Sequence, residues 1–108
     1  MSITLTIDNP ATDEDRTRSI PVATEHVFRM YWAPACAALG LTLVSAFSTG
    51  IVVGASDLPP LLDELQRLRS WVGAHLQAEA ASHVEQRVAI MIRELPALTA
   101  NDRRVFIG

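Results

Sequence analysis

Between Met30 and Ser56 the chain carries 27 residues without one charged side chain. Such a run is long enough to cross a bilayer, because roughly 20 apolar residues span its hydrocarbon core. However, Pro34 and three glycines interrupt the run, and no basic cluster beside it fixes an orientation. A lone membrane helix has no neighbour that could satisfy the backbone groups these residues free. We therefore expect the run to form the interior of a small domain, with a membrane-associated subunit using residues 30–56 as an alternative.

Turn signals divide this charge-free run into shorter pieces. Gly40 lies where a left-handed helix end would require glycine, and Ser48-Thr49-Gly50 is typical of a turn. Short apolar segments bounded by turns indicate buried strands. The pattern predicts strands near 41–47 and 50–53, as a hairpin or as one bulged strand.

The rest of the chain alternates between strand and helix patterns. Ile3, Leu5 and Ile7 recur at every second position, which is typical of a half-buried strand. Leucines repeat at helical spacing after Pro59-Pro60, and Gly73 is expected to end that helix. A further helix begins at 76 or at a capping box starting with Ser82, and Pro96 is expected to close it. The remaining predicted strands lie near 2–7, 19–23 and 103–107, and the predicted helices lie near 24–39, 58–72 and 76–95.

Together these elements predict an α+β fold, with a small and mainly antiparallel sheet packed against three or four helices. The length of 108 residues suits one domain spanning 1–108. A net charge of −3 argues against nucleic-acid binding, which normally requires a basic face. The single cysteine excludes an internal disulfide and favours the cytoplasm.

The candidate chemical groups do not form a recognisable catalytic or metal site. His75 and His83 would lie roughly 12 Å apart on a helix, so they cannot share one ion with Glu79. Cys36 lies between alanines, whereas a nucleophilic cysteine needs an electropositive setting. Asp13-Glu14-Asp15 lacks the glycine and glutamate that a calcium loop requires. We expect no metal, no cofactor and no catalytic residue, and the sequence favours a non-enzymatic function without deciding it.

Three features are candidate binding residues. The acidic loop, Asp13-Glu14-Asp15, concentrates negative charge that could attract a basic partner, although solvated turns often carry such charge. Tyr31 and Trp32 precede Pro34 and could line a pocket or lie in the core. Trp71 lies near the polar side of the leucine-rich helix, where an exposed tryptophan would mark a partner surface.

Enzymes usually have titratable groups that converge in a cleft, whereas the histidines and carboxylates of this chain lie on predicted solvent faces. The sequence therefore favours a small cytoplasmic protein that acts by non-catalytic binding of another protein. Bacterial immunity proteins, which neutralise a toxin by covering it, share this size and acidity, but no residue motif links the chain to them. The alternative is a small-molecule-binding protein or enzyme with a pocket near Tyr31 and Trp32. The sequence leaves a homo-oligomer open and names no partner.

Overall fold

The computed structural model describes residues 2–108 as four strands and several helical segments. The strands are β1 (Ser2–Ile7), β2 (Ser19–Thr24), β3 (Ile51–Val53) and β4 (Val105–Ile107). The α-helices are α1 (Asp13–Thr17), α2 (Glu25–Val27), α3 (Ala33–Leu39), α4 (Thr42–Ser45), α5 (Leu58–His75) and α6 (Ala78–Leu98). A π-helical segment (Phe28–Trp32) joins α2 to α3, and 3-10 turns occupy Ala46–Ser48 and Ala55–Asp57.

The strands form one antiparallel sheet in the order β2-β1-β4-β3. In β1, Ile3, Leu5 and Ile7 are buried against the helices, while Thr4 and Thr6 lie on the other face. This is the alternation expected of a sheet with one covered face. The predicted α+β fold with an antiparallel sheet is therefore confirmed.

Helices α5 and α6 are the two longest helices of residues 2–108, and they pack against each other. Their buried side chains recur three and four positions apart, which is the spacing of one helix face. The fully buried members include Leu61, Leu65, Leu68, Val84, Val88 and Met91. The two helices therefore contribute their leucine and valine stripes to one core.

The strand predicted near 41–47 is wrong, because this segment forms α4 and a 3-10 turn. Its buried residues are Leu41, Val44 and Phe47, which are three positions apart instead of two. The carboxylate of Glu64 also accepts hydrogen bonds from the backbone N–H groups of Leu43 and Val44. A buried acceptor at this point stabilises the start of a helix. Only β3 of the predicted strand pair is a strand.

Several predicted boundaries also shift. Helix α5 continues past Gly73 to His75, and α6 is one helix from Ala78 instead of starting at Ser82. Pro96 lies inside α6, where it is exposed in the last turn and helix formation continues to Leu98. The acidic loop contains the short helix α1, which was not predicted.

Residues 25–39 stay helical across Pro34, as the sequence predicts, but with a change of hydrogen-bond register. The N–H of Ala33 donates to the carbonyl of Phe28, five residues earlier. Pro34 has no N–H to donate and is accommodated in the first turn of α3. Among residues 2–108, no helix is both long and apolar enough to span a membrane.

Candidate functional site

The most prominent aromatic surface lies on the outer side of α5. Gln66, Ser70 and Ala74 form one row at four-residue spacing, and Arg67, Trp71 and His75 form the adjacent row. With Leu39 from α3, they line an open depression of about 450 Å³. We call these seven residues the Trp71 surface. It lies next to the buried face of α5, because Trp71 is three residues from the buried Leu68 and residues three apart are neighbours on a helix.

The Trp71 side chain is held in place from two sides. It is partly buried, and it packs against the residues of the core. The His75 ring also stacks on it, with ring centres 4.4 Å apart and an angle of 11° between the planes. His75 Nδ1 lies 2.9 Å from the carbonyl oxygen of Trp71, which fixes the imidazole when this nitrogen carries the proton. Trp71 and His75 thus form a flat aromatic pair that is held in one arrangement within the chain.

Arg67 connects the Trp71 surface to α3. Its guanidinium donates a hydrogen bond of 3.0 Å to the carbonyl of Leu39, the last residue of α3. Gly40 ends α3 in the left-handed conformation, with φ of 68°. A cation at this end also interacts favourably with the negative end of the helix dipole. Arg67 is otherwise exposed, and it lines the same depression as Trp71.

The acidic loop divides into exposed and buried carboxylates. Asp13 and Glu14 are exposed, and Asp13 forms an exposed ion pair of 3.7 Å with Arg16. Asp15 is buried, and its carboxylate accepts hydrogen bonds from the backbone N–H of Ala11 at 3.1 Å and from Arg103 at 3.0 Å. The contact with Arg103 joins α1 to the segment that directly precedes β4. Asp13 and Glu14 remain available to a partner, whereas Asp15 stabilises the fold.

The environment of Asp15 also affects its protonation. The hydrogen bond from Ala11 and the adjacent charge of Arg103 lower the pKa of the Asp15 carboxyl below its ordinary value, against the opposing effect of burial. Asp15 and Arg103 lie along a polar cleft of about 620 Å³ between α1 and α6. In this cleft Arg18 is also paired, with Glu94 at 3.3 Å. Its charged groups therefore bind mainly to each other.

Trp32 and Tyr31 occupy different environments. Trp32 is fully buried, with Phe28 and Phe47 beside it at ring-centre distances of 5.9 and 6.5 Å. Tyr31 is partly buried against the core. A small cavity of about 300 Å³ lies nearby and is lined by their helical neighbours Phe28 and Arg29, not by the two residues themselves. Trp32 therefore acts as a core residue and does not reach a partner.

Cys36 is buried and chemically inactive as a nucleophile. Burial, together with the negative charge of Glu64, raises the pKa of its thiol from 9.0 to about 11. The thiolate is the reactive form of cysteine, and at neutral pH almost none is present. Cys36 packs as a small apolar residue, as its alanine neighbours indicate.

The histidines do not converge on a common site. His75 belongs to the Trp71 surface near the end of α5, while Glu79 and His83 lie on α6. Because α5 and α6 are separate helices, the spacing assumed for one continuous helix does not apply. Within residues 2–108, no group of three histidine, cysteine, aspartate or glutamate side chains is placed to hold a metal ion.

The sequence singled out Trp71 but not its partners on the Trp71 surface. Arg67 and His75 lie four residues on either side of Trp71, so the helical spacing was visible in the sequence. Comparison of the chain with models of protein families, with curated proteins and with solved structures found no match. The candidate site therefore rests on the geometry of this chain alone.

Proposed function

We propose that this protein acts in the cytoplasm by non-catalytic binding of another protein, with the Trp71 surface at the centre of the contact. The observation that carries the proposal is the stack of the partly exposed Trp71 on the exposed His75, beside Arg67. Tryptophan and arginine are among the residues enriched at the positions that dominate binding energy. A ring already fixed on both sides also loses little conformational freedom on binding.

The exposed carboxylates favour a basic partner. Asp13 and Glu14 project from α1, and the whole chain has a net charge of −3. Such charges accelerate encounter with a positively charged protein, mainly at low salt. A toxin neutralised by being covered is one partner of this kind. The protein would then be of the immunity type, which agrees with its small size and acidity.

The test is affinity purification with three versions of the chain, followed by binding measurements on any protein retained. The variant Trp71→Ala should lose the partner, with at least a 30-fold weaker Kd, corresponding to about 2 kcal/mol. Met30→Ala is the matched control, because Met30 is a large exposed apolar residue outside the Trp71 surface. It should retain the partner. Thermal melts of both variants verify that they are folded.

Two results would contradict the proposal. One is a partner that Trp71→Ala binds as tightly as the parent protein does. The other is saturable turnover of a substrate by the purified chain. The role of the exposed carboxylates is tested separately with Asp13→Asn and Glu14→Gln combined, which should slow association at low salt and leave it nearly unchanged at high salt. If the double variant associated as fast as the parent protein at both salt concentrations, α1 would not be part of the contact.

A further inference from the structure

The cavity near Trp32 lies between β1, the helical segment 25–39 and the 3-10 turn Ala46–Ser48. Its volume is about 300 Å³, and the residues that line it are Ile3, Glu25, Phe28, Arg29, Ala33 and Ser48. None of them belongs to the Trp71 surface. The volume is at the lower end of the range that small-molecule sites occupy, so the cavity suits a small ligand.

The helical segment changes its hydrogen-bond register at this cavity. The N–H of Ala33 donates to the carbonyl of Phe28, and both residues line the cavity. Hydrogen bonds between helical residues five positions apart are rare, and the short turns that contain them occur frequently at functional sites. Arg29, which also lines the cavity, lies within the same π-helical segment. The irregular turn and the cavity therefore coincide.

The cavity combines an apolar interior with a polar rim. Ile3 and Phe28 are only 3% and 5% exposed, and Ala33 is partly buried. The other three lining residues, Glu25, Arg29 and Ser48, are exposed. A mainly apolar wall with a few polar groups is typical of small-molecule sites. A ligand that fits this cavity therefore places an apolar part on Ile3 and Phe28 and a polar part at the rim.

The polar groups of the rim are not used up within the chain. A glutamate four residues before an arginine on a helix is well placed to pair with it. Within residues 2–108, however, neither Glu25 nor Arg29 forms an ion pair, with the other or with another charged side chain. The hydroxyl of Ser48 donates to the carbonyl of Ser45 at 3.2 Å, which leaves its oxygen able to accept a hydrogen bond.

The opposite charges of Glu25 and Arg29 determine which ligand the rim accepts. A ligand with only negative charge is repelled by Glu25, and a ligand with only positive charge is repelled by Arg29. A zwitterion satisfies both residues through charge-assisted hydrogen bonds. On a helix the Cβ atoms of residues four apart are separated by about 5–6 Å, so both side chains can reach the two charged groups that an α-amino acid carries on one carbon atom.

We propose that this cavity binds a free α-amino acid with an apolar side chain. The guanidinium of Arg29 donates to the carboxylate of the ligand, and Glu25 and the Ser48 hydroxyl accept hydrogen bonds from its ammonium group. The apolar side chain of the ligand lies on Ile3 and Phe28. This site shares no residue with the Trp71 surface, so the proposal does not depend on the proposed function.

The test is a titration of the full chain with L-leucine, L-methionine and L-phenylalanine, followed through the backbone amide signals in proton–nitrogen NMR spectra. Concentrations up to about 20 mM reveal a Kd in the millimolar range. The amide signals of Phe28, Ala33 and Ser48 should shift and saturate, whereas those of Trp71 and His75 should stay unchanged. Glycine should bind more weakly than leucine, because it has no apolar side chain to bury.

Altered ligands and altered rim residues test the two charge contacts separately. Leucinamide lacks the carboxylate and N-acetyl-leucine lacks the ammonium group, so each should bind about fivefold more weakly than leucine, which is the upper end of the effect of one exposed ion pair. Glu25→Gln and Arg29→Gln should each weaken the binding of leucine by about the same factor. Arg69→Gln is the matched control, because Arg69 is exposed on α5 and does not line the cavity. It should bind leucine as the parent protein does.

Three results would each overturn the proposal. The first is that none of the three amino acids causes a saturable shift at Phe28, Ala33 and Ser48. The second is that leucinamide or N-acetyl-leucine binds as tightly as leucine. The third is that Glu25→Gln or Arg29→Gln binds leucine as tightly as the parent protein does. Because the replaced residues are exposed, the variants are expected to fold, and the dispersion of the same NMR spectra verifies this.

Discussion

Replacing Glu64 by alanine should destabilise the protein more than replacing any exposed residue does. The Glu64 side chain on α5 accepts hydrogen bonds from the backbone N–H groups at the start of α4. Its Oε1 atom lies 3.0 Å from the backbone nitrogens of both Leu43 and Val44, and Oε2 lies 3.2 Å from that of Leu43. The Glu64 residue is only 9% exposed, so water cannot easily replace it. Each buried donor left without a partner costs about 1–3 kcal/mol.

The two donors and the lost side-chain packing give a total loss of about 3–5 kcal/mol. A domain of this size has a free energy of unfolding of about 5–15 kcal/mol, so the loss is a large share. In urea, where the free energy of unfolding falls by about 1–3 kcal/mol per molar, the midpoint should decrease by roughly 2 M. Equilibrium unfolding followed by tryptophan fluorescence measures this shift, because Trp32 is buried in the same core.

Two further variants distinguish the hydrogen bonds from the charge. Glu64→Gln keeps a carbonyl oxygen that can accept from both N–H groups, so it should lose only about 1–2 kcal/mol. Gln66→Ala is the matched control on the exposed side of α5 and should change stability by less than about 0.5 kcal/mol. If Glu64→Ala unfolded within 1 kcal/mol of the parent, about the worth of a single ordinary hydrogen bond, the assignment of Glu64 as the cap of α4 would be refuted.

Two other titratable groups give separate predictions. Asp15 has a lowered pKa in the folded protein, so its contribution to stability is complete above the ordinary value of 3.8 and is lost as the pH falls through the lowered value. Unfolding midpoints of the parent and of Asp15→Asn should therefore converge as the solution is acidified below 3.8, and a constant difference would contradict this. Cys36, with its pKa raised to about 11, should react with a disulfide reagent at about pH 8 only after unfolding, since roughly one thiol in a thousand is then ionised. Rapid labelling of the native protein would contradict the burial of this thiol.

The elements with a clear period could be predicted from the sequence. The alternation of Ile3, Leu5 and Ile7 defines β1, and the leucines of α5 give its buried face. Both patterns are long enough to distinguish a period of 2 from one of 3.6. The segment 41–47 has only seven residues, and its helical form depends on Glu64, which is some 20 positions away. The sequence pattern within a short segment cannot reveal a contact with a residue so far away in the chain.

The candidate site could be predicted only in part, for the same reason. Trp71 was identified because its own helix places it beside the leucine face. The roles within the acidic loop depend on Arg103, which is 88 residues from Asp15. The sequence treated the three carboxylates as equal, whereas this distant guanidinium makes one of them structural.

The two tryptophans show why exposure is a property of the whole fold. Both lie on helices next to residues of the core. Trp32 is fully buried, and its Nε1–H has no hydrogen-bond partner within residues 2–108, so apolar contacts hold it in place at the cost of one unpaired donor. Trp71 is only partly buried, and the exposed His75 ring stacks on it. A buried tryptophan with an unpaired donor is explained by packing, whereas a partly exposed one that is already oriented is suited to binding, and this difference favours Trp71 over Trp32 as the contact residue.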